Sequence, residues 1–304
     1  MKTSRLPKFR RVPESVAGKG VTDRGIQIIR IISRYRLIST GTLVGVVGAN
    51  ADVTYRHLHR LYHQGFISRF TLPRRGNPGQ FIYFLENAAL LRTIAHRLPP
   101  DELDWSQIKR NREKFGDIIP AAEDRFGKFL FVRHELMISD FHAALELACR
   151  ASLGRVELDR WRQGTELHSR VRMPNKKTLP HRPDAFFTLR FPLAPEGQQR
   201  SNFFYEADRD TSNVTRLREK LEVHVEYLKQ GKQTMLSIKR IRAVLVETIS
   251  EKRLNECMAV TTAISQVDPV ARAVFWISSV QTSEPAFAPR WLTAADETLR
   301  SLVD

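Results

Sequence analysis

The hydrophobic period changes along this chain, and that constrains its fold more than any single motif. From residue 22 to 65 apolar residues recur at helical spacing. From 66 to 85 they fall in two short extended stretches, and from 129 onward helical and extended segments alternate. Thr22 can cap a helix reaching about Arg36, with Ile28, Ile31, Ile32 and Tyr35 as its apolar stripe. Ser39 or Thr40 can start a short second helix through Leu43, Val46 and Val47, ended by Gly48. Asp52 is expected to cap a third, closed by Gly65. FISRFTL and FIYFL then flank the turn-rich PRRGNPGQ, which predicts a hairpin. Three helices and a hairpin point to a winged helix-turn-helix over 21–98. Residues 86–97 form a further helix of it, closed by Pro99 and Pro100. Before it, residues 1–20 are expected to be a flexible basic arm.

Charge gives this region a partner. Residues 1–100 hold 17 Lys and Arg against 4 Asp and Glu, whereas residues 101–304 hold 32 against 29. The excess behind the net +16 is therefore local, and it predicts docking on a polyanion, above all double-stranded DNA. A basic surface that merely aids solubility, or a winged helix that docks on protein, are the alternatives. On the third helix Tyr55, Leu58, Leu61 and Tyr62 are expected to face inward. Thr54, Arg56, His57, Arg60 and Gln64 are assigned to DNA, with Arg74 and Arg75 at the hairpin tip. His57, His59 and His63 have no Cys beside them and read as ordinary helix residues, not a zinc site.

Residues 99–127 are polar around Trp105 and read as a linker with some helix. Beyond them, 128–282 alternates helix and strand, which predicts a mixed-sheet α/β sandwich, with 283–304 as a peripheral tail. IRAVLVETIS is expected to be a central strand. The chemistry in this half is acidic. Asp184 opens one strand, and Glu206 and Asp208, two apart on the next, share a face. Such a cluster suits Mg²⁺ or Mn²⁺, which could activate water against a phosphodiester. Lys220 on the following helix and Glu135 on the preceding one are expected to serve the same site. The competing reading is that these acids are solvated or paired with Arg209, Arg216 and Arg218.

The order of these segments resembles the replication-relaxation family of plasmid and mobile-element proteins. The resemblance runs from TDRGIQIIRIISRYRLISTGTL and RHLHRLYHQGFISRF through HELMISDFHAALELA, RPDAFF and FFYEADRDT to AVLVETIS, over roughly residues 21 to 280. It implies a winged helix and a role in replicating or relaxing mobile DNA. The later half also looks like the PD-(D/E)xK nuclease, or restriction-endonuclease-like, fold. On that comparison Glu135 matches the acid of the first core helix, Asp184 the motif's Asp and Glu206 its second acid. The usual Lys position holds Asp208, with Lys220 as its replacement from the next helix and Glu166 as a weaker ligand. A fold resemblance does not establish the chemistry.

Three functions follow. The first is a DNA-binding protein of a plasmid, phage or other mobile element, acting in replication or its control, with a replication protein and a second copy as further partners. The second is a metal-dependent endonuclease or nickase. The third is a transcriptional repressor. Two cysteines in 304 residues exclude a disulfide scaffold. No apolar run has membrane-spanning length, and no apolar stretch follows the basic start, so no membrane partner and no signal peptide are expected and a cytoplasmic protein is.

Overall fold

The computed structural model describes residues 10–72, 79–99, 101–115, 127–280, 285–294 and 298–304. The chain is mixed α+β and divides into two compact units, Met1–Ala143 and Ala144–Asp304. No helix of the described residues is long and apolar enough to cross a membrane.

In the first unit α1 (Asp23–Ser33) is capped by Thr22, whose hydroxyl accepts the Gly25 N–H. Strand β1 (Ile38–Ser39) leads into α2 (Thr40–Val47), which Gly48 ends in the left-handed region. Helix α3 (Ala51–Gln64) starts one cap earlier than expected. Asn50, not Asp52, accepts the N–H groups of Asp52 and Val53. Gly65, at φ 85°, turns the chain out of α3, a conformation that strains a residue with a Cβ. Strands β2 (Ser68–Thr71) and β3 (Phe81–Phe84) pair antiparallel, and β1 adds to the other edge of β3. Ile28, Ile29, Ile32, Leu43 and Leu58 are fully buried in the common core. Burying each contributes about 1.5–3 kcal/mol before entropy is counted.

Three expectations change here. The segment 86–97 is not one helix but α4 (Ala88–Arg92) followed by a 3-10 turn at Ala95–Arg97. Residues 99–127 carry α5 (Trp105–Phe115), whose Ile108 and Phe115 are buried in cores of the first unit. Residues 10–20 are docked. Arg11 donates to the Tyr62 carbonyl and the Ser68 hydroxyl, and Val12 donates its N–H to His63 Nδ1 at 3.0 Å. Arg74 and Arg75 lie outside the described residues. Helix α6 (Gly127–Ala151) carries the chain across the boundary between units.

The second unit is built on a seven-stranded mixed sheet. In chain order its strands are β4 (Glu157–Arg162), β7 (Ala185–Arg190), β8 (Arg200–Asp208), β9 (Ala243–Thr248), β10 (Phe275–Ser279), β11 (Trp291–Thr293) and β12 (Leu299–Arg300). A separate hairpin, β5 (Ser169–Arg172) and β6 (Thr178–His181), precedes β7. The spatial order is β12-β11-β10-β9-β8-β7-β4, with β8, β9 and β10 parallel and the remaining pairs antiparallel. β9 is central and buried throughout, as an unbroken apolar run requires. Helices α7 (Val214–Lys229), α8 (Glu251–Val267) and α9 (Pro269–Val274) contribute Leu217, Leu221, Val260 and Val274 to a core shared with Phe204 and Val244. The tail is not peripheral. It adds two strands to the sheet and buries Trp291 completely.

Candidate functional site

Two places gather candidate functional side chains, one in each unit. On α3, Thr54 is buried and its hydroxyl donates to the Asn50 carbonyl, so it does not present itself to a groove. Tyr55, expected inside, is 46% exposed, and Arg56 beside it is exposed. Arg60 donates to the Gly20 carbonyl and Gln64 to the Lys19 carbonyl, each at 2.6 Å. Arg60 and Gln64 are thus half-buried against residues 19–20, and His57 on the same stripe is half-buried as well. Burial, with Arg24, Arg60 and Arg56 nearby, lowers the His57 pKa below its ordinary value. The open stripe of α3 is Asp52, Tyr55 and Arg56, with His59 half-exposed, at the i, i+3, i+4, i+7 spacing of one helix face. His63 is buried against Val12 and His59.

In the second unit the ends of β7 and β8 meet α7. Asn213 caps α7 by accepting the Arg216 N–H, which sets the helix so that Lys220 and His224, one turn apart, face the sheet. Asp184, just before β7, accepts the Ala207 N–H at 2.9 Å and lies 3.5 Å from Lys220 Nζ. Glu206 on β8 is 2% exposed. One of its oxygens meets the Lys220 ammonium, and the other lies 2.5 Å from His224 Nε2. His224 Nδ1 is in turn 3.0 Å from His181 Nε2, at the end of β6. A continuous chain of contacts therefore runs Asp184, Lys220, Glu206, His224, His181, open to water at Lys220 and buried from Glu206 onward.

Electrostatics fixes the protons in this chain. Burial works to lower the Lys220 pKa, but Asp184 and Glu206 outweigh it and hold the ammonium well above its ordinary value. The Lys220 side chain is 43% exposed, so water screens the pair in part. Burial pushes the Glu206 carboxyl well up, opposed by Lys220. Burial lowers His224 to about 3 and His181 to about 2, with Lys220 adding to both, so both rings are neutral. With two neutral imidazoles in series, His224 can donate to Glu206 through Nε2 and accept from His181 through Nδ1. His181 stacks on Tyr227 at 4.0 Å, which fixes the far end.

Asp208 does not join this chain. Its carboxylate is clamped by Arg253, with Nε–Oδ1 at 3.1 Å and Nη2–Oδ2 at 3.0 Å. Arg253 is 1% exposed and also meets Asp210 and Glu256. Glu135 belongs to the first unit, where both of its oxygens face Arg36, at 3.0 and 3.3 Å. Glu166 is exposed in a 3-10 turn, not on a strand. Among the described residues no group of three or more His, Cys, Asp and Glu is arranged to hold a metal ion. Glu206 has both oxygens engaged by Lys220 and His224, and Asp208 is engaged by Arg253. Sequence reasoning named Asp184, Glu206 and Lys220 but missed His181 and His224. The Lys-x-x-x-His spacing on α7 was the available signal.

The replication-relaxation family model matches residues 29–237, more than two thirds of the chain and parts of both units. The chain belongs to the replication-relaxation family. Every residue of the open α3 stripe and all five members of the chain from Asp184 to His181 lie inside the matched region. Membership in the replication-relaxation family supports a role in the replication of mobile elements. No curated protein and no solved structure matches the chain.

Proposed function

We propose that this replication-relaxation protein binds double-stranded DNA of a plasmid, phage or other mobile element through its first unit, and acts in the replication of that element or its control. The order α1, β1, α2, α3, β2, β3, with a glycine-ended turn between α2 and α3 and β1 paired to β3, supports reading the first unit as a winged helix-turn-helix. On this reading α3 is the recognition helix, and Tyr55, Arg56 and His59 face the groove. Arg60 and Gln64 instead fix residues 19–20 beside it. Local charge carries the reading: 17 basic against 4 acidic residues before residue 101, with Arg56 exposed on α3. Fluorescence anisotropy with duplex DNA across a salt series tests it. Affinity should fall steeply with salt, and Arg56→Ala should weaken it. Unchanged affinity in that variant at moderate salt removes α3 from the interface.

One observation favours DNA cleavage as a second reading: Asp184, Glu206 and Lys220 meet at one end of β7 and β8 in the mixed sheet. These side chains are engaged with one another, with Lys220 on Asp184 and Glu206 and His224 on Glu206, so binding ranks first. Supercoiled plasmid incubated with Mg²⁺ or Mn²⁺ separates the two. Nicked product that vanishes in the Asp184→Ala, Glu206→Ala double variant supports cleavage, and intact plasmid under both metals removes it.

A further inference from the structure

The second unit is close to neutral over its length, yet it gathers positive charge at one place. Residues 144–304 carry 25 basic against 20 acidic residues. Five basic side chains, Arg160, Arg200, Lys239, Arg240 and Arg242, line a single open cleft of about 870 Å³. Among the described residues that line it, Asp304 alone carries a carboxylate side chain. The cleft lies at the C-terminal end of β7 and the N-terminal ends of β8 and β9. Asp184 and Glu206 sit at the opposite ends of β7 and β8. Ser201 and Glu206 are five residues apart on an extended strand, roughly 17 Å, so the cleft is a separate place from the carboxylate chain.

The cleft is built by the fold. The Thr188 hydroxyl donates to Asn202 Oδ1 at 2.9 Å, and Asn202 Nδ2 donates to the Arg240 carbonyl at 3.0 Å. The Arg242 N–H donates to the Asn202 carbonyl at 2.8 Å. These bonds pin the segment before β9 against β8 and hold its cations over the cleft. Two of the five charges are partly answered. Arg200 pairs with Asp159 at 3.1 Å, and Arg242 meets the Asp304 main-chain oxygen and lies over Trp276. Arg160 donates only to the Leu236 carbonyl, and Arg160, Lys239 and Arg240 have no carboxylate partner among the described residues. Phe191, half-buried, lines the same cleft and offers a ring on which a base can stack.

Grouped, uncompensated cations with forked guanidinium donors select phosphate oxygens, and an open cleft with an aromatic wall suits a phosphodiester chain. We propose that this cleft is a second nucleic-acid backbone site, gripping phosphates of the element's DNA independently of α3. The inference does not rest on the α3 reading. The full-length protein is titrated with fluorescent random-sequence oligonucleotides, single-stranded and duplex, over a salt series. Lys239→Ala, Arg240→Ala changes two exposed side chains. It should weaken nonspecific binding roughly tenfold near 50 mM salt and flatten the logarithmic salt slope by about two for duplex. Arg56→Ala, run beside it, reports on α3 alone, so the two readings fail separately. Unchanged affinity and slope in a variant that melts normally overturn the proposal. Tight binding of a mononucleotide that the variant loses, with oligonucleotide affinity and slope unchanged in that variant, would assign the cleft to a free nucleotide and overturn the backbone assignment. Photocross-linking of an iodouracil oligonucleotide to the unaltered protein needs no variant. Adducts at Phe191 or within 237–242 support the site, and adducts confined to the first unit overturn it.

Discussion

The open stripe of α3 and the paired chain around buried Glu206 use charge in opposite ways. On α3, Arg56 stands exposed beside Tyr55, in a region where basic residues far outnumber acids. Around Glu206 each charge has a counter-charge or donor in contact, and the histidines are kept neutral. The first arrangement leaves potential unspent for a partner. The second cancels it internally, because an ionised group out of water is tolerated only when it is paired. Removing a charge from α3 should therefore cost binding and little stability. Removing one from the second unit's interior should cost stability first.

The largest expected effect is at Arg253. Its guanidinium is 1% exposed and holds Asp208 in a two-point clamp. Arg253→Ala should lower unfolding free energy by about 3–5 kcal/mol, since Asp208 would keep its burial and lose its partner. Urea denaturation measures it. Arg253→Lys keeps the charge without the fork and should recover only part of the loss. A loss below about 1 kcal/mol for the alanine variant would show that the clamp is no more than a surface pair.

Acid should act next. His181 and His224 have folded pKa values lowered to about 2 and about 3, from 6.5. His142, buried in the first unit, is lowered to about 3. Between about pH 6.5 and 3 the unfolded chain binds protons that the folded chain refuses, so stability falls as pH drops through that window. Each histidine contributes up to about 1.4 kcal/mol per pH unit. Glu206 opposes this. Its raised carboxyl pKa favours the folded state at low pH, a contribution lost as pH rises through its folded value. Denaturation midpoints at pH 7.5 and 5.0 should differ clearly for the natural sequence and less for His224→Gln. An unchanged difference would mean that His224 is already protonated in the folded chain.

What the sequence revealed follows the range of the forces involved. Thr22, Gly48 and Gly65 act within one turn of their helices, and each helix begins or ends where they stand. The β2–β3 pair and central β9 follow from apolar runs long enough to have a period. Asn50 and Asp52 are both good caps two residues apart, and only the backbone geometry selects Asn50. Covering of Arg60 and Gln64 by residues 19–20, about 40 positions away, has no trace in helical periodicity. Asp184, Glu206 and Lys220 were legible because strand and helix spacing aim them at one place. Asp208 shares Glu206's face, but Arg253 claims it from 45 residues on. β11 and β12 are too short to show a period at all.

The smallest effects sharpen the comparison on α3 itself. Arg56→Ala should cost about 1 kcal/mol of DNA affinity and reduce the logarithmic salt slope by about one, with thermal stability unchanged. Arg60→Ala should do something different, because Arg60 donates to the Gly20 carbonyl in a half-buried position. It should lower stability by about 1 kcal/mol through that bond, and weaken DNA binding only as far as residues 19–20 are released. If Arg60→Ala instead matches Arg56→Ala in salt slope and leaves stability untouched, the covering of this stripe does not persist in solution. The basic face would then be the wider one that helical periodicity alone predicts, running through His57, Arg60 and Gln64.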